Sequence, residues 1–143
     1  MQAKIYSSAL HGVDAFSISI EVSISKGLGV MITGLPDDGI RESYNRIFVA
    51  VTAKGYEMPR IKLVINLAPA DIRKSGTAFD LPIAIAILLA SEQITDIGKL
   101  QDYVLAGELN IDGSLHPIKG VCCPCVHWRR CRAVLCIVPI VSP

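Results

Sequence analysis

The residues of this chain that could do chemistry gather in two stretches. In the first, Lys74-Ser75-Gly76-Thr77-Ala78-Phe79-Asp80-Leu81-Pro82, a serine hydroxyl directly follows a lysine amine. A lysine held partly neutral can take the proton of a serine hydroxyl, and the oxygen then attacks an acyl carbon. Such a pair needs contact at about 2.6–3.2 Å, whereas successive side chains of an extended loop point apart. Loop solvation and helix-start chemistry are the simpler account of Lys74 and Ser75. Arg73 and Lys74 also place cations beside a glycine-opened helix start, whose N–H groups and dipole favour anions such as phosphate. The plain alternative is a solvated loop, or pairing with Asp71 and Glu108, and the same alternative applies to Arg60, Lys62 and Lys119.

The second stretch is the C-terminus, where all five cysteines and Trp128 follow Gly120. Cys122, Cys125, His127 and Cys131 are zinc-ligand types, yet structural zinc sites usually present ligand pairs on separate knuckles with a longer spacer between them. Disulfides are disfavoured in a reducing cytoplasm and would leave one cysteine over. A shifted reading frame would produce an equally abrupt change of composition. The expectation is a degenerate helix–strand tail without metal, its strand at Ala133-Val134-Leu135-Cys136-Ile137-Val138-Pro139. His11, His116 and His127 have no partners spaced for a catalytic triad. Asp37-Asp38 is more easily a helix cap than a magnesium site, because Mg²⁺ usually takes carboxylates together with substrate phosphates.

Composition limits what these residues can belong to. With 143 residues and 51% hydrophobic content, one domain with a real core is expected. A net charge of +1 makes no bulk demand for nucleic acid, so an anionic partner would need a local basic patch. The start Met1-Gln2-Ala3-Lys4-Ile5 lacks a signal-peptide pattern and reads as a short strand, which points to the cytoplasm. The apolar run at 81–90 is about half of the roughly 20 residues a membrane helix needs, so it is expected to be a core helix and no membrane partner is expected.

The positioning elements follow from periodicity. Residues 16–24 alternate apolar and polar, as a half-buried strand does. Lys26-Gly27-Leu28-Gly29 reads as a turn into a returning strand at 30–33, so this pair is expected to form a hairpin. Asp37 or Asp38 caps a helix with apolar positions Ile40, Tyr44, Ile47, Phe48 and Val51, stopped by Gly55. The β-branched run at 61–67, with Pro69 beyond it, suits a central strand. A second helix is expected from Ala78 to about Glu92, capped by Thr77 or Asp80, with free N–H groups near 76–81. Strands at 103–109 and 115–118 are joined by an Asp112-Gly113 turn. Phe16, Tyr44, Phe48 and Phe79 fit core positions better than base-stacking platforms. The sum is an α/β (α+β) two-layer fold.

Gly34-Leu35-Pro36 running into Ile40-Arg41-Glu42-Ser43, Asn66-Leu67-Ala68-Pro69-Ala70-Asp71-Ile72-Arg73-Lys74, the Lys74–Pro82 run, and Leu105-Ala106-Gly107-Glu108-Leu109-Asn110-Ile111-Asp112-Gly113-Ser114-Leu115-His116-Pro117-Ile118-Lys119-Gly120 occur in that order. Together they resemble the N-terminal Lon-protease-like domain of Mg-chelatase-like ATPases of the ComM and YifB type. The resemblance covers roughly positions 3–120. It implies a Lon-like domain of the ribosomal-protein-like βαβ superfamily at 1–120, and a divergent Cys-rich continuation at 121–143 truncated before any ATPase domain.

Lon-type proteases use a Ser–Lys dyad, and aligning the serine loops places Ala78 at the nucleophile position and Cys122 at the lysine position. The resemblance therefore implies a non-catalytic domain serving ring assembly or DNA association in recombination or uptake, with Ser75 and Lys74 as the weak peptidase alternative. The binding candidates are Arg73, Lys74, Lys119, Arg60 and Lys62. In ComM-like and RadA-like proteins such a domain accompanies an ATPase motor in a homo-oligomeric ring. ATP and magnesium are expected there and no cofactor here, where the sequence holds no Gly-x-x-x-x-Gly-Lys-Ser/Thr loop.

Overall fold

The computed structural model describes residues 1–11, 14–95, 100 and 103–116. Alternating side chains in the first part of the chain build a long antiparallel hairpin. β1 (Gln2–His11) pairs with β2 (Asp14–Ser25) from Gln2↔Ser23 to His11↔Asp14. β1 is thus about twice as long as expected. β4 (Lys62–Ala68) lies antiparallel to β2 on one side and parallel to β3 (Val30–Thr33) on the other, giving the order β1-β2-β4-β3.

The expected β2–β3 hairpin does not form, because β4 inserts between the two strands. Burial explains the outcome. Leu63, Ile65 and Leu67 of β4 are fully buried, as are Ile18 and Ile20 of β2, whereas Val30 and Met31 of β3 stay exposed. The central position goes to the strand with the most apolar surface to hide. The parallel β3–β4 pair then requires a crossover, supplied by α1 (Asp38–Ala53).

Asp37 is the α1 N-cap, its carboxylate accepting from the Ile40 N–H at 2.8 Å. Ile40, Ser43, Ile47, Ala50 and Val51 form the buried stripe. Phe48 does not join it: the ring lies on the flank of the helix and is 47% exposed, against the core position expected. Phe79 is buried as expected, while Phe16 and Tyr44 are half-buried.

α2 (Asp80–Ala90) is shorter than the spacing suggested and has no side-chain cap. Thr77 donates instead to Glu108 Oε2 at 2.8 Å, and Asp80 is drawn inward. The helix is apolar nearly all round because β1, β2 and α1 surround it. Among the described residues no helix is long and apolar enough to cross a membrane. The expected strand 103–109 is interrupted. Val104 bridges Tyr6 alongside β1, then Gly107 turns to α2, donating to Ala78 O at 2.9 Å and accepting from Leu81 N at 3.0 Å. Only β5 (Glu108–Leu109) then pairs with β6 (Leu115–His116), across the expected Asp112-Gly113 turn. Sheet and helices share one core, in the α/β arrangement expected.

The β3–α1 corner depends on Gly34. Its φ is +96°, and a Cβ there would stand 1.9 Å from Leu67 O, a backbone atom that cannot yield. Gly34→Ala is expected to destabilise the chain by roughly 3 kcal/mol or more in urea unfolding. Ser7 gives the contrast: its hydroxyl is fully buried on β1 with no hydrogen-bond partner among the described residues. Ser7→Ala is expected to be neutral or to stabilise by about 1 kcal/mol in the same measurement.

Candidate functional site

The 69–79 loop, between β4 and α2, is held from below by the β3–α1 corner. Pro36 and Lys74 form a parallel bridge, with Asp37 N donating to Lys74 O at 3.0 Å and Lys74 N to Leu35 O at 3.1 Å. The second oxygen of the Asp37 cap, Oδ2, accepts from the Gly76 N–H at 3.2 Å. One carboxylate therefore closes both the helix start and the loop. Gly76 itself adopts φ +94°, and a Cβ at this position would meet nothing within 4 Å, so its need is conformational and not steric.

Lys74 departs from the expectation of a solvated or anion-contacting cation, since it is 0% exposed. Its Nζ donates to Gly34 O at 2.8 Å and to Pro69 O. Burial pushes the ammonium below the usual lysine range, with the Asp71 carboxylate opposing. Ser75, by contrast, is exposed, so the structure turns these neighbours to opposite sides of the loop. Ala78 is half-buried and its carbonyl accepts from Gly107 N.

Three of the N–H groups expected to be free at the α2 start are taken. Gly76 N–H goes to Asp37, Asp80 N–H to Thr77 O at 3.2 Å, and Leu81 N–H to Gly107 O. Glu108 accepts from Thr77 and not from a loop lysine. With the carboxylates of Asp37, Asp80 and Glu108 around the helix start, and of the two loop cations only Arg73 exposed, the electrostatics do not favour phosphate here.

Asp80 and Arg46 are the pair that sequence reasoning missed. Asp80 is fully buried and takes a bidentate contact from Arg46, Nε to Oδ2 at 3.0 Å and Nη2 to Oδ1 at 3.1 Å, plus the Leu109 N–H at 3.2 Å. Burial pushes the Asp80 carboxyl up, while Arg46 and the Leu109 N–H pull against it. The hydrogen bond to Asp80 makes Arg46 hold its proton more tightly. A carboxylate opening an otherwise apolar helix needs a partner, and that was the available signal.

Arg60 and Lys62 lie at the opposite end of β4, about 20 Å of strand from the loop at a rise of roughly 3.3 Å per residue. The expected binding residues therefore do not form one patch. Lys119, the zinc candidates Cys122, Cys125, His127 and Cys131, and the proposed boundary at 120 lie outside the described residues.

A family model described as subunit ChlI of Mg-chelatase matches residues 20–142. The chain belongs to this Mg-chelatase ChlI family. Among its relatives, the uncharacterized protein YifB of Escherichia coli strain K12 is 48% identical over 117 residues, which are 81% of this chain and 23% of that protein. Competence protein ComM of Haemophilus influenzae is 40% identical over 120 residues, 83% of this chain and 23% of ComM. An uncharacterized protein of Mycobacterium tuberculosis strain H37Rv is 38% identical over 119 residues, 82% of this chain and 24% of its own length. This chain thus spans about a quarter of the length of the curated relatives it matches. The resemblance to ComM and YifB stands, and the α/β fold is consistent with the Lon-like domain it implied.

The family's description raises magnesium, and the described residues do not suit it. No group of three or more His, Cys, Asp or Glu among them could hold a metal ion. Both Asp37 oxygens are occupied by backbone N–H groups, and Asp80 by Arg46.

Arg46→Ala leaves the Asp80 carboxylate buried with only the Leu109 N–H, and is expected to cost about 3–5 kcal/mol at neutral pH. Without its cation the carboxyl's folded pKa lies above the unfolded value of about 3.9. Between those values the folded state binds more protons than the unfolded state, so stability falls as pH rises through the window. Urea unfolding across acidic to neutral pH should show Arg46→Ala closest to wild type at the acidic end.

Proposed function

We propose that this chain serves as the non-catalytic domain of a Mg-chelatase-like ATPase, contributing to ring assembly, DNA association, or both, in DNA recombination or uptake. The carrying observation is the Lys74 amine: it is spent on the carbonyls of Gly34 and Pro69 while Ser75 faces solvent. A Ser–Lys mechanism needs that amine on the hydroxyl. The alignment of the loop with Lon-type proteases, which puts Ala78 at the nucleophile position and Cys122 at the lysine position, supports the same reading. On this view ATP and magnesium act in an accompanying ATPase domain, the working assembly is a cytoplasmic homo-oligomeric ring, and this chain supplies a framework. The similarity to ComM, a competence protein, is the support for DNA uptake.

A fluorophosphonate probe incubated with the chain is expected to label nothing. Labelling at Ser75 that disappears in Ser75→Ala would establish the peptidase alternative instead. In a full-length YifB-type relative, removing the aligned quarter is expected to reduce assembly size in sedimentation, DNA retention, or both. Loss of neither overturns the framework role.

A further inference from the structure

The two edges of the four-stranded sheet are finished differently. Beside β1, Leu105 N donates to Tyr6 O at 2.9 Å, so the 104–105 segment covers part of that edge. β3 stands at the other end of the order β1-β2-β4-β3 and, among the described residues, has no strand beyond it. Exposed edges are ordinarily guarded by lysine, proline or a bulge, because their unpaired backbone groups recruit another strand. Val30-Met31-Ile32-Thr33 carries neither charge nor proline. Gly29 O accepts from Leu63 N at 2.9 Å, so by strand alternation the N–H and C=O groups of Val30 and Ile32 point to the free side.

A groove of about 1180 Å³ runs between this edge and α1, lined among others by Leu28, Val30, Tyr44, Phe48, Tyr56 and Ile61. Val30 and Ile32 sit in register with the buried Leu63 and Ile65, so their side chains face the α1 side while Met31 faces the open side of the sheet. A strand added beside β3 would lie beneath Phe48, with its alternate side chains entering the groove. Glu57 and Arg60, the charged residues of the lining, have opposite signs, which suits an apolar occupant. Leu28, Val30, Met31, Phe48, Tyr56 and Ile61 are between 39% and 84% exposed. They present on the order of 500 Å² of mostly apolar surface, the larger part of the roughly 800 Å² that each partner buries in a specific interface.

We propose that a second copy of this chain covers the edge: two β3 strands pair antiparallel about a two-fold axis at Met31, joining two four-stranded sheets into one. In that register Val30 of each copy exchanges both backbone hydrogen bonds with the partner's Ile32, and within β3 no other register engages both residues of both copies. The side chains of the partner's Val30 and the partner's Ile32 then fill the groove below Phe48. The two Met31 side chains meet across the axis on the open face. Self-complementarity selects a second copy over another strand, because each copy supplies the apolar strand that the other's groove lacks and both edges are covered at once. The inference goes beyond the ring reading: a contact that uses one surface on both copies closes at two, whereas a ring needs two different surfaces.

Sedimentation velocity of the whole 143-residue chain over a concentration series tests it, with a dimer expected for wild type. Met31→Lys and Met31→Glu each set like charges opposite one another and are expected to weaken dimerisation at least about 10-fold. Mixing the two variants makes the opposed charges complementary and should restore the dimer. Val30→Pro removes one outward N–H from the edge and should weaken the dimer similarly. Circular dichroism and the urea midpoint verify folding, which the exposed position of Met31 favours. A wild type that stays monomeric at every concentration overturns the inference and leaves the ring reading standing. An oligomer that Met31→Lys and Met31→Glu leave intact uses another surface and overturns it as well. Weakening by both variants without recovery in the mixture would show that the two Met31 side chains do not face each other, and overturns the two-fold pairing.

Discussion

An ammonium group held away from water by the carbonyls of Gly34 and Pro69 ties together three segments distant in sequence: the end of β3, the end of β4 and the loop entering α2. Burying a lysine amine is costly unless its donors are used, and charge-assisted bonds to carbonyls offset that cost only if the corner is built to receive it. Gly34 makes the corner possible by turning where any side chain would strike Leu67. Asp37 then closes it, one oxygen on the α1 start and the other on Gly76. The loop that carries Lys74 and Ser75 is in this way fastened to the scaffold beneath it.

The same economy governs the α2 start. The Asp80 and Leu81 amides are satisfied by Thr77 O and Gly107 O, and the Asp80 carboxylate by Arg46 and Leu109. The Lys74 amine and the Gly76, Asp80 and Leu81 amides are already engaged with protein partners. At the other end of the sheet the rings of Phe48 and Tyr56 stay partly exposed. The relatives in this family are some four times longer than the matched segment.

Much of this was legible from residues alone. The alternation in β2 and the β-branched run of β4 marked strands, Asp37 marked the α1 start, and Asp112-Gly113 the last turn. Ordered motifs pointed to the family. The direction of Lys74 was not legible, because a lysine in a polar loop has the same composition whether it faces water or two carbonyls. Arg46 and Asp80 were hidden for a similar reason: they lie 34 residues apart, and no local pattern joins them.

Local periodicity determined that β2 and β4 are strands and α1 a helix, and the main apolar side of each, since those depend on the backbone repeat of a single segment. Only the tertiary structure decided that β4 and not β3 lies beside β2, that Lys74 points inward and that Phe48 points outward. Each is the result of segments competing for the same buried space and the same backbone acceptors, and such competition has no outcome until all of the competitors are packed together.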